Sequence, residues 1–156
     1  MQSNLAPRGT AFALGFVILV YAIAHVLPVT KVFDETAFGW QASCSAAQIA
    51  AEGIWHGRPE WLWLFGWLPN PLLWLGVACL WIGRRRDTRR AGLAAGLAGC
   101  LACAGAALWF FSGDMDQLFS GYYVWTASML LLALVGFWTA VTTGPYGPTE
   151  SRNLAR

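Results

Sequence analysis

Four stretches of the chain are almost wholly apolar, and the charged residues fall between them. The stretches cover residues 11–29, 61–83, 91–112 and 122–143, and none contains an Asp, Glu, Lys or Arg. As a helix, about 20 apolar residues cross the roughly 30 Å of bilayer hydrocarbon. A lipid-exposed backbone must satisfy its own hydrogen bonds, which favours helices. The pattern therefore predicts an all-α integral membrane protein built as a four-helix bundle.

The second stretch carries a helix-breaking sequence, Pro69-Asn70-Pro71, near its middle. Asn70 is suited to cap a helix whose first residue is Pro71. The favoured interpretation is a Trp-rich interfacial segment over 61–67 followed by a membrane span over 68–85. The alternative is one continuous helix with a kink at the prolines.

The connection over residues 30–60 is the longest polar segment and carries one helical pattern. Within residues 39–53, apolar side chains recur at steps of four, three and four, which places them on one helix face. That face consists of Trp40, Cys44, Ala47 and Ala51, and the other side consists of Gln41, Ser45, Gln48 and Glu52. The pattern predicts an amphipathic helix that lies on the outer membrane surface or caps the bundle.

Composition narrows the class of protein further. Hydrophobic residues make up 57% of the 156 residues and charged residues 12%, about half of the usual quarter. A water-soluble chain of this length could not bury so much apolar surface. A soluble enzyme, a nucleic-acid-binding protein and a disordered regulator are therefore disfavoured, and the lipid bilayer is the first expected partner.

The charges divide between the two sides of the predicted bundle. One side nets about +6 and the other about −4 when the loops are assigned by the positive-inside rule. The basic side contains Arg8, Arg84, Arg85, Arg86, Asp87, Arg89, Arg90, Glu150, Arg152 and Arg156. The acidic side contains Lys31, Asp34, Glu35, Glu52, Arg58, Glu60, Asp114 and Asp116. This asymmetry predicts that both termini are cytoplasmic (N-in, C-in).

The two ends of the chain need separate interpretation. Arg8, the apolar run and Ala22-Ile-Ala24 match a secretory signal with an A-x-A cleavage site. The run continues to Val29 beyond that site, which favours a retained first helix. The polar tail over 145–156 is expected to be mobile.

Two histidines are the candidate cofactor ligands. His25 lies near the outer end of the first span and His56 just before the Trp cluster, so both fall on the same side of the membrane. Neutral imidazoles ligate haem iron and chlorophyll-type pigments. The alternative for His25, four residues from Val29, is an interfacial or packing role. A haem or pigment held by His25 and His56 is a secondary hypothesis; the leading one has no cofactor.

Cysteines and an amide inside the spans give two further hypotheses. Cys100-Leu-Ala-Cys103 has the CxxC spacing of redox motifs, but burial in hydrocarbon favours neutral thiols that act as small packing residues. Asn70, at the helix break, points to a small transporter or channel. The spans contain no carboxylate, and the sequence shows no nucleophile–base motif or phosphate loop. The sequence therefore favours a non-enzymatic protein.

The strongest positive signal is a stripe of small residues in the third span. Gly92, Gly96, Gly99 and Cys103 have the spacing that lets two membrane helices approach closely. The stripe packs either within this bundle or against another subunit. The expected contact surface for such a subunit is the outer tryptophans Trp40, Trp55, Trp61 and Trp63. The leading hypothesis is an accessory or interaction subunit of a larger membrane complex.

Three sequence elements carry a resemblance across most of the chain from residue 39. They are Gly39-Trp-Gln-Ala42, Asn70-Pro-Leu-Leu73 and Gly121-Tyr-Tyr-Val-Trp125. The chain resembles a group of small bacterial inner-membrane proteins that have four predicted helices and a Gly-Trp-x-Ala element in the first outer loop. The resemblance implies the four-helix topology and a bacterial origin, and it implies no activity.

Overall fold

A computed structural model describes residues 5–32, 35–56, 61–83, 88–112 and 118–143. The elements are α1 (Leu5–Val26), β1 (Pro28–Val32), β2 (Glu35–Phe38), α2 (Gly39–Trp55), α3 (Trp61–Trp67), α4 (Pro69–Gly83), α5 (Thr88–Ser112) and α6 (Ser120–Thr142). Within these described ranges, four helical windows are long and apolar enough to cross a membrane: Gly9–Val26, Leu64–Gly83, Thr88–Phe111 and Ser120–Thr142. They coincide with the four predicted stretches, and the chain is a multi-pass integral membrane protein.

Helix α6 is the centre of the bundle. It packs against α1, α4 and α5, and its buried positions run along the helix from Gly121 to Ala140. The fully buried Leu73 of α4 and Met129 of α6 belong to the same core. Large apolar side chains on the outside of the helices are expected here, because the surrounding solvent is itself apolar.

The first span is shorter than predicted. Helix α1 ends at Val26 rather than at residue 29, and β1 begins at Pro28. A proline disfavours helical geometry at the residue before it, so the helix stops short of Pro28.

A β-hairpin, missed by the sequence interpretation, follows α1. Strands β1 and β2 pair antiparallel, with Pro28 opposite Phe38 at one end and Val32 opposite Glu35 at the other. The backbone N–H of Phe119 donates to the carbonyl of Val29 at 2.9 Å, which ties the hairpin to the start of α6. We call this part of the molecule, where α1 finishes and α6 begins, the hairpin end.

Helix α2 packs on the hairpin end through a face of small residues. Gly39, Ala46 and Ala50 are buried, and the carboxamide oxygen of Gln41 accepts the backbone N–H of Phe38 at the start of the helix. The face predicted from Trp40 is not this one, since it lies about a third of a turn away. The small residues form the packed face because they allow α2 to approach the bundle closely.

Several predicted features lie outside the described residues. They include residues 84–87 and 113–117 and the tail over 145–156. The two-sided charge distribution depends on these segments, so the membrane orientation stays a prediction.

Candidate polar centre and cavity at the hairpin end

The break in the second span brings a polar side chain into the bundle. Helix α3 ends at Trp67 and α4 begins at Pro69, with Leu68 between them. Backbone hydrogen bonds still cross the break, from Leu68 N to Leu64 O at 2.8 Å and from Leu72 N to Leu68 O at 3.2 Å. The N–H groups that are missing at Pro69 and Pro71 therefore do not separate the two pieces. Asn70 is the second residue of α4 rather than its cap, and it is only 8% exposed.

The carboxamide oxygen of Asn70 joins three helices. The Tyr21 hydroxyl of α1 and the indole Nε1–H of Trp125 in α6 both donate to Asn70 Oδ1, each at 2.9 Å. An indole N–H can only donate, so the atom that faces Trp125 must be the oxygen of the amide. Because an unpaired polar group in an apolar interior is costly, these bonds fix α1, α4 and α6 relative to one another.

The amide nitrogen of Asn70 extends this network to α2. Its Nδ2 donates to Ser43 Oγ at 3.4 Å, a long distance for an N–H···O bond. The Ser43 hydroxyl in turn donates to the Gly39 carbonyl at 2.9 Å. We call the four residues of this network the polar centre: Tyr21, Ser43, Asn70 and Trp125. Its longest hydrogen bond, from Asn70 to Ser43, is the one that links α2 to the bundle.

A cavity of about 80 Å³ lies beside the polar centre. Its α1 and α2 walls are made of small residues, among them Ala24, Gly39, Ala42 and Ala46. Its opposite wall carries the aromatic side chains of Trp109, Tyr122 and Trp125. The side chains of Ser43 and Thr30 supply hydroxyl groups at the lining.

The aromatic wall is held in place by its own contacts. The Tyr122 hydroxyl donates to the carbonyl of Ala106 in α5, and its ring stacks on Phe110 with a centroid distance of 6.0 Å. Trp125 is held through its bond to Asn70 and lies 5.9 Å from the Tyr122 ring. The wall is therefore built from α5 and α6, and the small-residue wall faces it from α1 and α2.

The two histidines are not brought together. His25 Nδ1 lies 3.0 Å from the carbonyl of Tyr21 in its own helix, next to the start of α2, where a Cβ on Gly39 would lie 2.8 Å from the His25 Cα. His56 is exposed just beyond the other end of α2. Since α2 has 17 residues, the two imidazoles are separated by about 25 Å along it. A single cofactor bridged by both is not supported, and a His25-only ligand stays a prediction.

The small-residue stripe of α5 lies against α6. A Cβ on Gly92 would lie 2.7 Å from the backbone nitrogen of Ala140, and one on Gly99 would lie 2.6 Å from that of Ala133. A Cβ on Gly96 would meet the ring of Phe137 at 2.8 Å. The three glycines thus occupy a contact inside this chain. Cys103 is half-buried and Cys100 exposed, and both thiols are free.

The predicted tryptophan surface is only partly described. Trp40 is 55% exposed and Trp55 is 87% exposed, both on α2. The side chains of Trp61 and Trp63 lie outside the described part of the structure.

Three members of the polar centre were not anticipated. Asn70 was singled out as a helix break, whereas Tyr21, Ser43 and Trp125 were not predicted to meet it. The available signal was a set of hydrogen-bonding side chains placed where lipid or protein would surround them, since such groups require partners. Their pairing depends on packing between distant elements, which sequence spacing does not encode.

Comparison with known proteins places the chain in no group. It matches no family model, no curated protein and no solved structure. Within the described ranges, no three His, Cys, Asp or Glu side chains cluster in a way that could hold a metal ion.

Proposed function

We propose that this protein is a non-enzymatic accessory subunit of a larger membrane complex in a bacterial inner membrane. It binds a neighbouring membrane protein through one side of α2. We call this side the α2 flank and define it by Trp40, Cys44, Ala51, Ile54 and Trp55.

The observation that carries the proposal is the exposure of the α2 flank. Ile54 is 61% exposed and Trp55 is 87% exposed, although α2 already buries a different face against the bundle. The polar side of the same helix is solvated, as indicated by the exposed hydrogen bond between Gln48 and Glu52 at 2.9 Å. Helix α2 therefore has three sides, and the flank is the apolar side that stays exposed among the residues that the structure describes.

A protein partner fits the composition of the flank. Tryptophan is enriched in the energetically important centres of protein interfaces, because it buries a large rigid surface. The small-residue stripe of α5 is occupied by α6, so a partner would not use that stripe. The exposed flank is about 22 Å long from Trp40 to Trp55, at 1.5 Å per residue.

The proposed orientation follows from the charge distribution. The arginines near residues 84–90 would face the cytoplasm and the hairpin end would face outward. The flank would then meet its partner at the outer headgroup level, where tryptophan side chains are stable.

Site-specific photo-crosslinking tests the proposal. A photo-reactive phenylalanine analogue at position 55 is expected to give an adduct with a second, different membrane protein when cells are irradiated. The control is the same analogue at position 138, because Trp138 is similarly exposed (72%) but lies on α6. Adducts only with lipid or with another copy of this chain would contradict the accessory role.

Co-purification provides a second measurement. The double variant Trp40→Ala with Trp55→Ala should lose the crosslinked partner after mild detergent extraction, whereas Trp138→Ala should retain it. Equal retention by all variants would show that the flank does not bind the partner.

A further inference from the structure

We propose that the cavity at the hairpin end is a binding site for an uncharged apolar group that carries one hydroxyl. The ligand is either a small free alcohol or the hydroxyl end of a membrane amphiphile. This inference is independent of the α2 flank, which faces away from the cavity.

The walls of the cavity determine the class of ligand. Apart from Val29, Thr30 and Ser43, the lining consists of three aromatic residues and of alanine and glycine, so the space suits a small apolar group. Among the described residues, the lining contains no Asp, Glu, Lys or Arg. An ionised group would lose its hydration there without gaining a counter-charge, which disfavours charged ligands.

Ser43 supplies the position for the ligand hydroxyl. Its hydroxyl proton is directed to the Gly39 carbonyl at 2.9 Å, which leaves the oxygen as an acceptor. The Asn70 amide reaches that oxygen only at 3.4 Å. A serine oxygen has two lone pairs, so a ligand O–H can donate to Ser43 Oγ while the weak bond from Asn70 persists.

Volume limits how much of the ligand enters. An engineered apolar cavity of roughly 150 Å³ accommodates benzene, and this cavity measures about 80 Å³. It therefore admits a few non-hydrogen atoms. A short alcohol fits whole, whereas an amphiphile inserts its polar end and leaves its chain outside.

Photolabelling in nanodiscs tests the site directly. The probes are a short-chain alcohol that carries a diazirine and the diazirine alkane of the same length. We expect the alcohol to label peptides that contain Trp109, Tyr122 or Trp125, and we expect excess unlabelled propanol to compete. Labelling spread evenly over the lipid-facing helices, without competition, would overturn the proposal.

Two variants separate the cavity from the surrounding surface. Ala46→Leu places a larger side chain at the cavity lining and should abolish the labelling. Ala104→Leu makes the same change at an exposed position of α5 that does not line the cavity, and it should leave the labelling intact. Both proteins are first compared with the wild type for helical content and monodispersity. Equal labelling of a folded Ala46→Leu variant would overturn the proposal.

A third variant tests the role assigned to the hydroxyl. Ser43→Ala should weaken alcohol labelling about fivefold, which corresponds to one net hydrogen bond, and should leave alkane labelling unchanged. An equal response of both probes would show that Ser43 does not receive the ligand hydroxyl.

Lipid extraction distinguishes the two sources of ligand. If the ligand is an amphiphile, protein purified from native membranes should carry an uncharged hydroxyl lipid in the wild type and in Ala104→Leu, and less of it in Ala46→Leu. Specific labelling without such a lipid would identify a free alcohol as the ligand. The absence of both would overturn the inference.

Discussion

The two ends of this bundle are held together in different ways. Between α5 and α6, glycine and alanine remove side-chain volume, and the two backbones meet directly. At the hairpin end, Gly39 and Gly121 also let backbones meet, but polar side chains join α1, α4 and α6 through Asn70, and a cavity lies beside them. Dispersion contacts stabilise both ends, whereas hydrogen bonds between side chains of different helices fix the orientation at the hairpin end. The comparison teaches that close packing can serve both ends of a small membrane protein while hydrogen bonds add specific positioning at one of them.

The largest expected change in the free energy of unfolding comes from replacing a glycine of α5 that lies directly against the backbone of α6. Gly99→Ala should destabilise the protein by about 2–3 kcal/mol, because the new methyl group would overlap the backbone of Ala133 and overpacking has this cost. Gly96→Ala is the matched control. Its methyl group meets the ring of Phe137, which is 36% exposed and can move, and alanine gains about 1 kcal/mol in helix propensity.

Reversible unfolding in mixed detergent micelles measures this difference. The denaturant concentration at the unfolding midpoint should fall for Gly99→Ala and stay close to the wild-type value for Gly96→Ala. Similar midpoints for the two variants would mean that α6 can withdraw from α5 without cost.

The next effect tests the polar centre. Asn70→Leu should destabilise the protein by about 2 kcal/mol, because it leaves the Tyr21 hydroxyl and the Trp125 indole N–H without their acceptor. Tyr21→Phe removes one of these donors and should cost about 1 kcal/mol or less. In the double variant the effect of Tyr21→Phe should vanish. If the two substitutions instead lower the free energy of unfolding additively in this double-mutant cycle, Tyr21 is not coupled directly to Asn70 Oδ1.

The smallest effect has the opposite sign and concerns the cavity. Filling 80 Å³ could restore at most about 2 kcal/mol at the usual cavity coefficient. Ala46→Leu fills only part of it and should stabilise delipidated protein by about 1 kcal/mol. Ala50→Leu, on the same buried face but away from the cavity lining, should destabilise it. A lower unfolding midpoint for Ala46→Leu would show that the walls do not leave usable space there.

Sequence reasoning recovered the membrane helices because lipid thickness imposes a length and an apolar composition on each one. It also located the Pro69 break, since proline chemistry is local. It missed the hairpin, although Val29, Thr30 and Val32 are β-branched and favour strands. The sequence between β1 and β2, Phe33-Asp34, contains no glycine that would signal a turn, and the first predicted helix extended across Pro28.

The candidate site was much less predictable than the spans. Gly92, Gly96 and Gly99 could be recognised from their spacing, but the spacing does not say which helix they face. The polar centre and the cavity require elements that are far apart in sequence: Asn70 lies 49 residues from Tyr21 and 55 from Trp125. The predicted Trp40 face illustrates the same point, because helical periodicity groups residues without stating what each side contacts.

The bond from Phe119 to Val29 has a consequence for how the molecule is assembled during synthesis. The hairpin is synthesised early. The groups that complete it come later, at or after the end of α5: the N–H of Phe119, the indole of Trp125 that donates to Asn70, and the aromatic lining residues of the cavity. Until the last helix is made, the Val29 carbonyl and the Asn70 carboxamide must therefore form hydrogen bonds with other partners. The last helix completes the site when it inserts, because a nascent chain halted before residue 118 has most of the cavity lining but lacks Tyr122, Trp125 and the backbone N–H of Phe119.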